Sequence, residues 1–238
     1  MPTATDSSRY AVYFLPDPSS AIWHFGSATL GYDAYTASDV APPARLAAAE
    51  PRLGELTAEP RRYGFHATLW APTPLAPGTD ERALIAAVRA FATARQPFVV
   101  PEFEVAIVED FLALVPAAPC PALDALAADC VRAFARLRAP LGEADRRRRV
   151  GAGLTERQTA YLDGWGYPHV LDEFRFHMTL TGALTAADRE PLRALLAEAY
   201  AAIAAPIPID AIAVLRQSSR ADRFRVVERM ILTEPNAA

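Results

Sequence analysis

The feature of this 238-residue sequence that most limits its fold is a motif that occurs twice. Phe-His-x-Thr-Leu stands at residues 65–69 and again at residues 176–180. In a β-strand, alternate side chains lie on the same face, and residues i and i+2 are about 6.6 Å apart. Each motif, taken as a strand, therefore buries its Phe and Leu and presents its His and Thr together on the opposite face.

The sequence around each motif repeats as well. The histidine strand is followed by a helix, with Thr79 or Thr185 as the expected N-cap, and then by two further strands. The two copies span about residues 62–115 and 173–233. This order predicts an α+β fold made by duplication. We expect a single bilobal domain over residues 1–238, with the two copies as antiparallel-sheet lobes, helices on the outside and a central cleft.

Other elements follow from composition and from turn residues. Residues 10–15 are rich in aromatic and branched side chains and predict a first strand, which Pro16 ends. Residues 98–108 and 111–115 predict two strands joined by a turn at Glu109-Asp110. Around the second motif we expect a strand over residues 173–181.

The paired histidines indicate acid–base chemistry at a phosphate ester. One neutral imidazole, of His66 or His177, can accept a proton from water or a hydroxyl, and the other, as imidazolium, can protonate the leaving oxygen. The hydroxyls of Thr68 and Thr179 can donate to the non-bridging oxygens. This scheme needs no metal and no cofactor. The alternative is a duplication that has kept these residues without a catalytic use.

The same alternation identifies neighbouring candidates for substrate binding. Arg175 falls on the histidine face and can form a two-pronged contact with a phosphate, although an ion pair with Asp172 or Glu173 is an equal alternative. Trp70 falls on that face too, where it can stack on a base or sugar or fill the lobe interface. Tyr63 ranks lower, because regular alternation puts it on the opposite face unless the strand is bulged.

The charge balance limits the partners. The net charge is −4 and the sequence pI is about 5.6, whereas domains that bind long nucleic acids are strongly basic. We therefore expect a small phosphate-ester substrate. The run Arg146 to Arg149 is interpreted as a solvated face, with a flap that reaches the phosphate as the less favoured alternative.

No stretch reaches the roughly 18 consecutive apolar residues of a membrane-spanning helix. The first nine residues carry no basic segment followed by an apolar run, which is the pattern of a signal peptide. These two observations predict a cytoplasmic protein without a membrane partner. The oligomeric state is left open.

The paired His-x-Thr strands resemble the two-histidine phosphoesterase superfamily, which includes the LigT-like RNA phosphodiesterases. The match is closer to the branch encoded beside carbon–phosphorus lyase genes, a phosphonate-metabolism family of unknown function. It rests on residues 63–69 (YGFHATL), 154–158 (LTERQ), 165–168 (WGYP) and 174–182 (FRFHMTLTG). The motifs place no second basic residue beside His66.

This resemblance implies a bilobal fold and metal-independent action on a cyclic phosphate or phosphodiester of a small metabolite. A five-membered cyclic phosphate of ribose is the candidate that the resemblance suggests. Two alternatives stay open: an RNA-end 2′,3′-cyclic phosphodiesterase or ligase-like enzyme, and a non-catalytic protein that binds a nucleotide or sugar phosphate.

Overall fold

The computed structural model describes residues 8–151 and 153–234. Residues 1–7 lie outside the described residues. They make up most of the N-terminal segment on which the signal-peptide prediction rests. The strands are β1 Arg9–Phe14, β2 Tyr32–Asp33, β3 Ser38–Asp39, β4 Ala67–Thr73, β5 Phe98–Val100, β6 Phe103–Val108, β7 Phe111–Pro116, β8 Met178–Thr179, β9 Ile207–Ile209, β10 Ala211–Gln217 and β11 Arg225–Ile231. The helices are α1 Ala21–Leu30, α2 Ala44–Ala49, α3 Leu53–Leu56, α4 Glu81–Ala92, α5 Pro121–Phe134, α6 Glu143–Val150, α7 Glu156–Trp165 and α8 Ala186–Ala201.

Two antiparallel sheets carry the two motifs. The larger sheet has the strand order β11-β10-β1-β4, and the smaller sheet has the order β6-β7-β8. All six residues of β1 are buried, as a strand between two partners requires when both of its faces are covered. The chain is thus a mixed fold of helices and antiparallel sheets, and the predicted first strand lies at the centre of the larger one.

The two sheets do not coincide with the two sequence copies. Strand β4 of the first copy pairs with β1, which is joined to β10 and β11 of the second copy. Strand β8 of the second copy pairs with β7 of the first. The motif histidines immediately precede these strands, β4 after His66 and β8 after His177, and each of these histidine strands shares its sheet with the strand hairpin of the other copy.

The chain crosses between the two sheets at strands β5 and β9. Strand β5 pairs with β9, with Val99 opposite Pro208, so the two segments that cross between the sheets are paired with each other. Helix α4 contacts β10 and β11, and α8 contacts β6 and β7. Our expectation that residues 62–115 and 173–233 form separate lobes therefore differs from the observed pairing, because sequence order does not determine which strand covers which apolar face.

Several expected elements are shorter than expected or begin elsewhere. The strand expected over residues 98–108 is divided at Pro101 and Glu102 into β5 and β6, because proline cannot donate to a ladder. The strand expected over residues 173–181 is reduced to β8. Helix α4 is capped by Asp80, which accepts from Ala83 N at 2.8 Å, and not by Thr79.

Other local predictions are confirmed. Thr185 caps α8, and the turn between β6 and β7 falls at Glu109 and Asp110. Glu109 has a positive φ of 54°, a conformation that such tight hairpin turns require.

Helix α1 packs closely behind the first motif. A Cβ added to the buried Gly26 would lie 2.2 Å from the ring of Phe65, the fully buried neighbour of His66. We predict that Gly26→Ala lowers the free energy of unfolding by about 1–3 kcal/mol, the usual cost of overpacking. Denaturant unfolding measures this change.

The matched control is Gly164→Ala, since Gly164 lies in α7 with nothing within 4 Å of the added carbon. Alanine is the better helix former by about 0.5–1 kcal/mol, so this variant should be at least as stable as the parent. An unchanged unfolding midpoint for Gly26→Ala would show that Phe65 has room to move.

Candidate active site

The two motifs lie beside each other, because β4 contacts β8. The alternation is the predicted one. Phe65 and Ala67 are buried, as are Phe176 and Met178, whereas both histidines and their threonines are partly exposed. The inward-facing residues belong to one hydrophobic core that both sheets share.

Each histidine is held by the same backbone contact. Nδ1 of His66 donates to the carbonyl of Gly64 at 2.8 Å, and Nδ1 of His177 donates to the carbonyl of Arg175 at 2.8 Å. A neutral imidazole that donates from Nδ1 has its lone pair on Nε2. Both residues therefore keep Nε2 as the atom that can exchange a proton.

Gly64 supplies its carbonyl from a left-handed conformation, with φ at +75°. A side chain there would be strained, and an added Cβ would also approach the Cβ of Ala34 to 2.9 Å. The glycine that precedes the first motif is therefore needed to orient His66.

One face of the His66 ring packs against an aromatic ring, and its Nε2 atom lies near a hydroxyl group. The ring of Tyr13 stacks on it with centroids 3.7 Å apart and planes 19° from parallel. Thr68 Oγ1 lies 3.2 Å from Nε2, so its hydroxyl can donate to the neutral ring. The aromatic stack restrains the ring while Nε2 stays on the cleft side.

His177 is less enclosed. Its ring lies 5.7 Å from that of Phe111 at an angle of 56°. Within the part of the chain that the structure describes, Nε2 makes no contact with Thr179 like the one between His66 and Thr68. The two motifs are therefore alike in backbone geometry but different in the environment of Nε2.

The cleft between the motifs comprises three adjoining cavities. The His177 cavity, about 240 Å³, is lined by His177 and Thr68. The Thr179 cavity, about 240 Å³, is lined by His66 and Thr179. The arginine cavity, about 220 Å³, is lined by His66 and Thr68 and named for the two arginines described below. Each histidine thus shares a cavity with the threonine of the other motif, as expected if both act on one substrate.

Arg9 and Arg149 line the arginine cavity together with His66, although the motifs placed no second basic residue there. Arg9 and Tyr13 lie on the same face of β1 because they are four residues apart, and Tyr13 stacks on His66. The sequence contained this alternation, but it could not show that β1 lies beside β4. Arg149 is the last residue of the arginine run.

Arg175 lines the His177 cavity, and its side chain is exposed. Its Nη1 donates to the carbonyls of Asp172 at 3.0 Å and Phe174 at 2.6 Å. The ion pair that we considered as its alternative is not formed in the described part of the chain, where Asp172 pairs with Arg157. Binding of a phosphate by Arg175 remains a prediction.

Trp70 is not on the histidine face. Val12 pairs with Trp70, and the next residue, Tyr13, pairs with Thr68. Strand β4 therefore has one extra residue, Leu69, between these two pairs. This bulge at Leu69 breaks the alternation. Trp70 is only 4% exposed and its ring meets that of Phe134 on α5 edge-on at 6.1 Å. Its predicted contact with a base or sugar is therefore wrong.

Tyr63 is better placed than its position in the sequence indicated. It follows the 3-10 turn Pro60–Arg62 and not a strand, so strand alternation does not apply to it. Its ring stacks on that of Phe224 at 5.6 Å, and the residue lines both cavities that contain His66.

Burial lowers the pKa of His66 from 6.5 to about 4, against the opposing effect of the Gly64 carbonyl, and the nearby charge of His177 lowers this pKa further. Burial also lowers the pKa of His177; the Arg175 carbonyl and Glu109 oppose this, while His169 adds to it. Both imidazoles are therefore neutral bases near pH 7 in the free protein.

We predict that an NMR titration of the imidazole nitrogens will find His66 neutral down to about pH 4. Unfolding must then take up a proton between about pH 6.5 and pH 4, so the contribution of His66 to stability is present above this window and is lost as the pH falls through it. Added inorganic phosphate should raise the pKa of both imidazoles. A pKa near 6.5 for His66 in the free protein would contradict the burial that the cleft imposes.

The described residues hold no group of three His, Cys, Asp or Glu side chains that could bind a metal ion. No helix among them is long and apolar enough to cross a membrane.

The fold and the cleft define a mixed α and antiparallel-β protein with a two-histidine site. The chain matches the family described as "Protein of unknown function (DUF1045)" over residues 68–225, and it belongs to that family. This match and the Phn-named relatives confirm the family resemblance that the motifs indicated.

Two curated relatives are both named ribose 1,5-bisphosphate phosphokinase PhnN. The protein from Janthinobacterium sp. (strain Marseille) is 40% identical over 215 residues, which cover 88% of this chain and 48% of that protein. The protein from Laribacter hongkongensis (strain HLHK9) is 37% identical over 180 residues, which cover 76% and 41%. The chain thus spans about half the length, or less, of these relatives.

Among solved structures, a phosphoesterase is 12% identical, with a TM-score of 0.41 and coverage of 95% of this chain and 99% of that one. The protein TT0787 of Thermus thermophilus is 15% identical, with a TM-score of 0.43 and coverage of 95% and 98%.

Proposed function

We propose that this protein is a metal-independent phosphoesterase that opens a cyclic phosphate or phosphodiester of a small metabolite, with His66 and His177 as the proton-transfer pair. The observation that carries the proposal is the matched geometry of the two imidazoles. Each is held through Nδ1 by the carbonyl two residues before it, keeps Nε2 available, and shares a cavity with the threonine of the other motif.

The proposed reaction needs two proton transfers and one water molecule. Nε2 of one histidine accepts a proton from water while the water oxygen forms a bond to phosphorus. The bond from phosphorus to the leaving oxygen breaks, and the imidazolium of the other histidine protonates that oxygen. The products are a phosphomonoester and a free hydroxyl. On substrate binding the Thr68 hydroxyl leaves Nε2 of His66, its partner in the free protein, and donates to one non-bridging oxygen, while Thr179 donates to the other.

His66 is the better candidate for the base. Burial keeps its pKa at about 4, so it is neutral near pH 7, and the Tyr13 ring and the Gly64 carbonyl hold its imidazole in position. Burial lowers the pKa of His177 as well, but His177 is less enclosed and the Arg175 carbonyl and Glu109 oppose this shift, so that a bound phosphate favours its imidazolium. A negative phosphate raises the pKa of a nearby imidazole because it stabilises the charged form.

The kinase name of the relatives does not fit the residues of this chain. All 24 of its cationic Lys and Arg residues are arginine, whereas the P-loop of a nucleotide-dependent kinase needs a lysine at the phosphates. We therefore place the kinase activity of these relatives in the half that this chain does not match. Their substrate, a ribose bisphosphate, supports a ribose cyclic phosphate as the ester opened here, since hydrolysis of a 1,2-cyclic phosphate yields a ribose 1-phosphate group.

We predict that purified protein in the presence of a chelator opens a ribose 1,2-cyclic phosphate, with phosphorus NMR reporting loss of the cyclic ester signal. Cyclic 2′,3′-nucleotides are the comparison substrates. Faster turnover of the nucleotides would favour the RNA-end enzyme, and binding of both without product would favour the non-catalytic protein. Loss of turnover with chelator, restored by a divalent ion, would reject the metal-free scheme.

We predict that His66→Ala and His177→Ala each lower kcat by about 10²–10⁴-fold, because each removes one proton-transfer partner. His24→Ala is the matched control, since His24 is exposed on α1 and should leave the rate unchanged. Circular dichroism establishes that the variants are folded. Near-normal turnover by a folded His66→Ala or His177→Ala protein would mean that the residue transfers no proton.

A further inference from the structure

The three cavities of the cleft differ in charge. The arginine cavity is lined by Arg9 and Arg149, and none of its described lining residues is a carboxylate. The His177 cavity and the Thr179 cavity each have two carboxylates in their walls, and the exposed Arg175 also lines the former. These carboxylates are Glu109 and Glu173 in the first, and Glu59 and Asp110 in the second. An anionic group is therefore held best in the arginine cavity.

The two guanidinium groups have no carboxylate partner within the described part of the chain. Arg9 is 9% exposed, and its Nε donates to the side-chain amide oxygen of Gln217 at 2.8 Å. The guanidinium of Arg149 lies 5.5 Å from the ring centre of Tyr167, and its Nε is buried without a hydrogen-bond partner. Burying an uncompensated cation is costly, so this arrangement favours a bound anion.

Arg149 differs from its neighbours in the arginine run of α6. Arg146 pairs with Asp163 at 2.6 Å and Arg148 pairs with Asp145 at 2.9 Å, both at the surface. Arg147 is exposed. Only the last arginine of the four lines the arginine cavity, so the run is a solvated face with one residue turned inward.

We propose that the arginine cavity binds a second phosphate of the substrate, one that is not attacked. The preferred substrate is then a cyclic phosphate that also carries a separate phosphomonoester. This inference rests on the proposed function. His66 and Thr68 line the arginine cavity as well as facing the reaction, so the second phosphate lies next to the reacting one. A volume of about 220 Å³ suits one phosphate group and the sugar carbon that bears it.

The first experiment measures binding without turnover. Isothermal titration calorimetry compares ribose 5-phosphate with ribose for the parent protein, Arg149→Gln and Arg147→Gln. We expect Arg149→Gln to weaken binding of ribose 5-phosphate by about tenfold or more, the usual loss of a charge-assisted hydrogen bond. Arg147→Gln removes the same charge from the same helix and should bind like the parent. Arg149→Lys keeps the charge and should recover part of the affinity.

Equal weakening by Arg149→Gln and Arg147→Gln would overturn the inference, because the effect would then be one of overall charge. Equal unfolding midpoints for these two variants exclude a folding defect, and Arg149 lies on a helix with no fully buried residue.

The second experiment measures turnover of a ribose 1,2-cyclic phosphate with and without a 5-phosphate. We expect Arg149→Gln to lower kcat/KM for the 5-phosphorylated substrate by about tenfold or more and to leave the other substrate unchanged. An equal loss on both substrates would overturn the inference, since Arg149 would then hold the reacting phosphate. If neither substrate is turned over while the binding contrast holds, the proposed function fails and the phosphate subsite is retained.

Discussion

The pairing of β1 with β4 is the contact on which the rest of the site depends. Strand β1 is buried along its whole length and joins the first histidine strand to the hairpin of β10 and β11. One face of β1 also supplies Tyr13, which stacks on His66, and Arg9, which lines the arginine cavity. The position of His66, the packing of its ring and the charge beside it thus all depend on one strand that lies outside both sequence copies.

The exchange of strand hairpins makes the cleft a product of the whole chain. Because each histidine strand shares its sheet with strands of the other copy, neither copy can form its half of the site without the other. Both sheets also contribute to one hydrophobic core. A core shared in this way restrains the relative position of the two imidazoles, which proton transfer at one substrate requires.

The sequence predicts those features that depend on local patterns, namely the alternation of buried and exposed residues in a strand and the residues that cap a helix. The motifs correctly placed His66 and His177 opposite a buried face, and Thr185 was correctly predicted as a cap. Trp70 was misplaced because a bulge is set by how two strands pair, which alternation within one strand cannot reveal. Arg9 and Arg149 were missed for a related reason: their nearness to His66 depends on contacts between segments far apart in the sequence.

The electrostatics of the cleft explain how a site made of neutral bases can also supply an acid. Burial lowers the pKa of both motif histidines, so the neutral imidazole is favoured at both positions near pH 7 in the free protein. The charge of His177 opposes protonation of His66 as well, and two arginines line a cavity beside His66. An incoming phosphate changes this balance at His177, the proposed acid, because its negative charge stabilises a protonated imidazole. If a second phosphate occupies the arginine cavity, Arg9 and Arg149 compensate its charge there and it takes no part in bond breaking. The acid would then form only in the complex. Binding energy from a phosphate that does not react would in this way lower the barrier of the chemical step, as it does in enzymes that use remote parts of a substrate for catalysis.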